Sequence, residues 1–351
     1  MIHLNIYGWN DKLNRLKEES TYKTLSHGRI AIVHRTCYEV ISENGLFLCE
    51  LTGNMMYGKS DFELPCTGDW VIFQAFDESK GIIVDMLARE RALYRKKSGT
   101  VADKQAIASY VDKAFIVQSL DDNFNVRRLE RFMVQILEEN IQPVLILNKA
   151  DLDFDKQKTD EAIKHIVRQM SVFFTSIHHP ETVCQLRESI SEGETIVFVG
   201  SSGVGKSSLV NALCEKPVLL TSDISQSTGK GRHTSTRREM VLMDGSGILI
   251  DTPGIREFGL TVDNPDSLAE ILEISDYAES CRFKDCTHTN EPGCAVLKAI
   301  NDGMLDSKVY ESYLKLKREA WHFSTSEHEK RKKDKSFSKL IEEVKKRKAN
   351  F

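Results

Sequence analysis

The spacing of apolar positions changes twice along the chain, and each change marks a different kind of structure. Between about residues 26 and 95, short runs of β-branched and aromatic residues alternate with turn formers. Arg29–His34, Tyr38–Ile41, Leu46–Leu51, Asp69–Phe76 and Gly81–Met86 read as five strands, punctuated by Asn44-Gly45, Pro65 and Thr67-Gly68. Five short strands in so short a stretch suit a small barrel, with the OB-fold as the leading candidate. The periodicity alone fits an SH3-like barrel as well.

From about residue 103 to 261 the runs become fully apolar and are separated by amphipathic stretches. Ala114–Gln118, Val144–Leu147, Val172–Phe174, Thr195–Val199 and Ile248–Ile250 are expected to be central parallel strands. Val126–Glu139 and Thr159–Gln169 carry helical spacing between them. Strand alternating with helix predicts an α/β domain with helices on both faces of the sheet. Beyond about residue 264 the pattern is helical and charged. Val309, Tyr310, Tyr313, Leu314, Leu316, Lys317 and Trp321 outline an amphipathic helix, and residues 324–351 carry few large apolar side chains. The expectation is three domains: a barrel with an N-terminal extension over 1–100, an α/β domain over 101–263, and a helical region with a basic tail over 264–351.

Composition narrows the setting. No apolar run reaches the roughly 18 residues of a membrane span. Met1 to Ser20 mixes charges among its apolar residues and lacks the core of a signal peptide, so a cytoplasmic protein is expected; no membrane contact and a monomeric state are expected as well. The net charge of −4 conceals an asymmetry: residues 315–351 hold thirteen Lys/Arg against six Asp/Glu. A basic tail on an acidic body fits a polyanionic partner, or simply a solvated face. Cys37, Cys49, Cys66, Cys184 and Cys214 lie scattered in apolar stretches and read as small buried hydrophobes. Cys281, Cys286 and Cys294 crowd together with His288. Three thiolates and one imidazole would close a tetrahedral structural zinc site with no open position; the alternative is a cluster of free thiols.

Three motifs carry the chemistry. Gly200-Ser201-Ser202-Gly203-Val204-Gly205-Lys206-Ser207 matches G-x-x-x-x-G-K-[ST], preceded by an apolar run and followed by Ser208 and a helical stretch. Its backbone N–H groups can curl around phosphates, Lys206 can reach the β- and γ-phosphates, and the Ser207 hydroxyl can ligate Mg²⁺. Ile248–Ile250 runs into Asp251-Thr252-Pro253-Gly254, a D-x-x-G pattern in which Asp251 can hold Mg²⁺ and the Gly254 N–H can sense the γ-phosphate. Val144–Leu147 runs into Asn148-Lys149-Ala150-Asp151, N-K-x-D, whose carboxylate can accept hydrogen bonds from the guanine N1–H and exocyclic amine. Adenine would leave that carboxylate unpaired. Thr175-Ser176 is the candidate companion loop touching the base. Together these residues read as a GTP/GDP site, with its base reader ahead of its phosphate loop.

That order, with Gly-Lys-Gly-Arg-His-Thr-Ser-Thr at 229–236 and Asp-Thr-Pro-Gly-Ile-Arg-Glu-Phe at 251–258, resembles the bacterial ribosome small-subunit-dependent GTPase A family (RsgA, also called YjeQ). The likeness covers nearly the whole chain, from the small barrel through a circularly permuted GTPase domain to a Cys/His zinc segment. It implies an rRNA-binding OB-fold and a GTPase that acts in late maturation of the small ribosomal subunit and is stimulated by it.

The residue after D-x-x-G is Ile255, which cannot orient water. His233 is the nearest polar candidate, and the resemblance favours it, with a surface-loop histidine as the plain alternative. Thr234 or Thr236 can supply the switch hydroxyl to Mg²⁺. Two other readings stay open: an RNA-binding module that uses GTP as a structural or switch ligand, and a permuted GTPase acting on a non-ribosomal RNA.

Overall fold

A computed structural model of the chain describes residues 1–57, 60, 62–96, 104–164, 166, 167, 170–215, 238–251 and 267–321. Five N-terminal strands, β1 (Ser26–Val33), β2 (Tyr38–Ser42), β3 (Gly45–Leu51), β4 (Trp70–Ala75) and β5 (Lys80–Met86), pair in the order β1-β2-β3-β5-β4 and close back onto β1. Only the β3–β5 pair is parallel. This strand order is that of the OB-fold and excludes the SH3-like alternative.

Alternate residues fill the barrel: Ile30, Val40, Phe47, Val71, Phe73 and Ile83 are all buried inside. On β4 the intervening Trp70 and Ile72 are buried too, because Leu4 and Leu13 cover them from outside. Those two come from a 3₁₀ turn (Leu4–Tyr7) and from α1 (Asp11–Glu19). The α1 helix starts where Asn10 accepts the N–H groups of Lys12 and Leu13, an ordinary asparagine N-cap. A short helix, α2 (Gly53–Met56), follows β3.

A two-stranded ribbon, β6 (Leu93–Lys96) with β7 (Lys104–Ala108), leads out of the barrel. Next comes the α/β sheet: β8 (Lys113–Ser119), β9 (Gln142–Asn148), β10 (Ser171–Thr175), β11 (Thr195–Val199), β12 (Glu239–Leu242) and β13 (Ile248–Asp251). Its spatial order is β10-β9-β8-β11-β13-β12, parallel throughout except for β12. Ile32 of β1 pairs with Glu239 of β12, so barrel and α/β sheet share one eleven-strand order. Buried Arg29 ties them further, donating to the carbonyls of Tyr7 (2.6 Å) and Gly68 (2.9 Å) and, at 3.5 Å, of Ser109 and Tyr110.

Four helices follow the strands: α3 (Val126–Glu138), α4 (Lys156–Ile163), α5 (Pro180–Glu188) and α6 (Lys206–Leu213). Phe115, Val117, Val144, Ile146 and Phe198 meet Val183, Leu186, Leu209 and Leu213 on one side of the sheet. Helix α3 lies against β8 and β9 and buries Leu129, Phe132, Met133 and Ile136. The chain leaves β8 toward β9 and β10, then returns to place β11 on the other side of β8. The crevice between the carboxyl ends of β8 and β11 is therefore a topological switch point, the place where open α/β sheets bind ligands.

The chain forms two compact units, one of Met1–Tyr94 with Ala106–Phe258, the other of Arg95–Gln105 with Gly259–Phe351. In the second unit α7 (Ser267–Ile271), α8 (Ser275–Ala278) and α9 (Ala295–Asn301) precede a helical segment over 307–321. Val309, Tyr313, Leu316 and Ala320 bury one stripe of that segment, whereas Trp321, expected on the stripe, is 60% exposed. Among the scattered cysteines Cys49, Cys66 and Cys214 are buried, but Cys37 is half-buried and Cys184 exposed, contrary to the expectation for those two. Cys184 sits on α5 near Glu188, on the side turned away from the sheet. No helix among the described residues is long and apolar enough to cross a membrane.

Candidate phosphate site and metal centre

The loop from Gly200 to Gly205 joins the central strand β11 to α6 and is shaped by three glycines with positive φ: 148° at Gly200, 83° at Gly203 and 90° at Gly205. Two of them could not be other residues without movement. A Cβ on Gly200 would lie 2.4 Å from the Val117 carbonyl oxygen, and one on Gly205 would lie 2.3 Å from Asn148 Nδ2. Close approach to β8 and to the end of β9 leaves the remaining backbone of the loop facing outward. Ser202 and Gly203 are exposed, Val204 is buried, and Ser207 and Ser208 occupy the half-exposed first turn of α6. Lys206 Nζ donates to the carbonyls of Gly200 (2.7 Å) and Ser201 (2.6 Å), bending its ammonium over the loop's own concavity. A cradle of N–H groups, a helix start and a lysine are together suited to hold an anion.

The Asn148–Asp151 segment lies at the carboxyl end of β9, two strands from the loop. Asn148, 3% exposed, bridges the elements: its Nδ2 donates to the Val204 carbonyl at 2.9 Å, and its Oδ1 accepts from Thr175 Oγ1 at 3.1 Å. The 200–205 loop, the Asn148–Asp151 segment and the end of β10 are thus joined by one side chain. Lys149 adopts φ 61°, which turns the chain so that Asp151 points outward. The Ser176 hydroxyl donates to Asp151 Oδ1 at 2.5 Å and holds that carboxyl below its ordinary range. An exposed, ionised carboxylate locked in direction can accept a pair of N–H donors from a planar base.

Residues outside the sequence motifs also reach this site. Asn123 Nδ2 donates to the Ser202 carbonyl at 3.1 Å. Arg128 Nη1 donates to Ser201 Oγ at 2.5 Å and to Asn123 Oδ1 at 3.0 Å. Asp121 pairs with Lys149 Nζ at 2.7 Å. Its carboxyl lies below the ordinary range: partial burial pushes it up, but hydrogen bonds from Lys149, Ser119 and the Asn123 N–H outweigh that. Sequence reasoning passed over all three because the 121–128 stretch matches no phosphate or base motif; only the adjacency of β8 and β11 brings it here. Asp251 ends β13, two residues beyond Leu249, which pairs with Ile196 of β11. His233, Thr234, Thr236 and Gly254 lie outside the described residues, as do Ile255 and residues 322–351 of the basic tail.

In the second unit the ligand atoms of Cys281, Cys286, His288 and Cys294 all lie within 4.8 Å of one another. Cys281 Sγ is 3.9 Å from Cys294 Sγ, and His288 Nδ1 is 3.5 and 3.6 Å from those two sulfurs. Tetrahedral zinc with Zn–S near 2.3 Å requires sulfurs roughly 3.8 Å apart, so the donor set fits that ion. Local structure builds the cluster. Cys294 is the N-cap of α9, and the Ala295 N–H donates to Cys281 Sγ at 3.3 Å. His288 takes the left-handed φ of 63°. Glu291 holds that turn by accepting the N–H groups of Thr287, Thr289 and Asn290. The Thr287 hydroxyl and N–H chiefly lower its carboxyl to about 2. Tyr310 from the 307–321 helix donates to the His288 carbonyl at 2.5 Å. Desolvation, with the thiols of Cys294 and Cys281 nearby, pushes the Cys286 thiol up to about 11. Desolvation also raises Cys281, but backbone N–H donors bring it below the ordinary thiol value.

Residues 86–261 match the family model described as RsgA GTPase, and 195–347 match one described as 50S ribosome-binding GTPase. The chain is 75% identical over 349 residues to Small ribosomal subunit biogenesis GTPase RsgA 1 of Bacteroides thetaiotaomicron, covering 99% of this chain and 98% of that protein. It is 37% identical over 320 residues to Small ribosomal subunit biogenesis GTPase RsgA 2 of Listeria monocytogenes, covering 91% and 90%. Among solved structures it resembles YjeQ from Thermotoga maritima, with TM-score 0.64, 24% identity and coverage of 84% and 98%. It also resembles YloQ, a circularly permuted GTPase, with TM-score 0.61, 25% identity and coverage of 86% and 97%.

Proposed function

Because the chain belongs to the RsgA family of small ribosomal subunit biogenesis GTPases, we propose that it hydrolyses GTP on the maturing small subunit, contacts rRNA there, and is stimulated by that particle. The observation that carries this reading is the Asn148 side chain, which holds the base-reader segment to the phosphate loop at 2.9 Å. That bond ties together two motifs 56 residues apart in the chain.

In this reading Asp151 selects guanine, with Asn148, Lys149, Thr175 and Ser176 shaping the base pocket. Residues Gly200 to Ser208 cradle the phosphates, and Lys206 leaves its own loop carbonyls for phosphate oxygens. A magnesium ion arriving with the triphosphate would be held by Ser207 and Asp251, with Thr234 or Thr236 completing its shell, and would neutralise charge between the phosphates. His233 orients the attacking water, in place of the glutamine that Ile255 lacks, and Gly254 senses the γ-phosphate. The Cys281, Cys286, His288 and Cys294 side chains hold one structural zinc. The functional division is barrel 1–100, permuted GTPase 101–263 and zinc-binding region 264–351, working as a monomer in the cytoplasm.

The test is GTP turnover measured against titrated small ribosomal subunits. We expect slow hydrolysis alone and a saturable increase of at least about tenfold with subunits; equal rates with small subunits, large subunits and none would refute the proposal.

A further inference from the structure

Arg128 is unusual for an arginine at a helix start. Its guanidinium bonds to the Ser201 hydroxyl and the Asn123 amide oxygen, and among the described residues no carboxylate pairs with it. A cation at the first turn of α3 opposes the helix dipole, and Val126–Glu138 has no acidic residue in its first turn to offset it. Asn125 caps the helix by accepting the Arg128 N–H, which fixes where that side chain emerges. The next contacts form a chain: Arg128 holds Asn123, Asn123 holds the Ser202 carbonyl, and the Asn123 N–H binds Asp121, which holds Lys149.

We propose that Asp121, Asn123 and Arg128 form a positioning bracket that presets the phosphate loop and the Asn148–Asp151 segment for nucleotide, with Arg128 as its anchor. This rests on reading Gly200–Ser207 as the phosphate site. The physical role is preorganisation. A glycine-rich loop is free to wander in the absence of ligand, and binding must then restrict it; bonds that already hold Ser201 and Ser202 remove part of that cost. The guanidinium, with no carboxylate partner among the described residues, also raises the potential around an anion site. Both effects act on any phosphate-bearing ligand equally, so they belong to uniform binding and leave the chemical step unchanged.

The experiment measures Kd for GDP and for a non-hydrolysable GTP analogue, and kcat at saturating GTP, in the full chain. Arg128→Met should weaken both nucleotides together, by about tenfold as expected for losing a charged hydrogen bond, with kcat within about twofold of wild type. Arg128→Lys, which keeps the charge, should recover part of that affinity. Ser201→Ala removes the same bond from the loop side without touching α3 and should reproduce the loss; adding Arg128→Met to it should cost far less than tenfold more. Unchanged nucleotide affinity in Ser201→Ala, or a loss confined to kcat or to the triphosphate, would overturn the bracket. Lys206→Ala tests the underlying reading separately. If that variant hydrolyses GTP normally, the loop is not the phosphate site and the bracket falls with it. If it fails while Arg128→Met and Ser201→Ala bind normally, only the bracket is lost.

Discussion

At the 200–205 loop, several polar side chains are already engaged by the protein. Lys206 bonds its own loop carbonyls, Asn148 spans Val204 and Thr175, and Arg128 and Asn123 hold Ser201 and Ser202. At the Cys/His cluster the donors mainly face one another: three sulfurs and one imidazole nitrogen within 4.8 Å, with the Ala295 N–H as an outside partner for Cys281. The first site is organised by backbone geometry and hydrogen bonds, and ligand binding exchanges partners. The second gathers like-charging groups, whose cost a cation must offset. The lesson is that a bound ion is expected to be part of the fold of the second unit, whereas a nucleotide is expected to be a passenger on the first.

Removing the metal should separate the two most sharply. Cys294→Ser, or prolonged chelation, should abolish one bound zinc per chain by metal analysis. It should also unfold the local region around 281–321, since structural zinc contributes apparent free energies of about 10 kcal/mol or more. Guanine nucleotide affinity should stay within a few-fold of wild type. Loss of nucleotide binding on chelation would show that the first site depends on the second.

The opposite lesion comes next in size. Asp151→Asn removes the carboxylate that Ser176 locks in place and should weaken GTP by roughly 10²-fold or more, with relative gain for xanthosine nucleotides. Zinc content and the melting midpoint should not move, because Asp151 is exposed. Unaltered GTP affinity, measured by titration calorimetry, would remove 148–151 as the base reader.

A smaller effect should follow from the turn that carries His288. Glu291→Ala frees three N–H groups and the Thr287 hydroxyl without deleting a ligand. Outer-sphere support of this kind is worth about tenfold or more in metal affinity, so zinc transfer to a competing chelator should speed up while GTP turnover stays unchanged. Equal zinc retention would mean that the ligands alone hold the turn.

Much of the molecule could be read without its coordinates, for local reasons. Period-two runs yielded all five barrel strands to within a few residues, because one face of each must be apolar. Apolar runs ending in Asn148, Gly200 and Asp251 placed each motif at a strand's carboxyl end, where the backbone itself makes the site. Four ligands within fourteen residues needed only a turn to converge, and the chain supplies it at His288. Tertiary structure decided the rest. Trp70 and Ile72 lie on the barrel's outer face, yet a polar-looking N-terminal segment covers them through Leu4 and Leu13. Only the return of the chain to β1 chose the OB-fold over its rival. The join of β1 to β12 links residues more than 200 positions apart. Asp121, Asn123 and Arg128 reach the phosphate loop only because β8 and β11 are neighbours in the sheet. Local pattern encodes which face is apolar and which turn is possible; which distant side chains meet follows from strand order, a property of the whole packed chain.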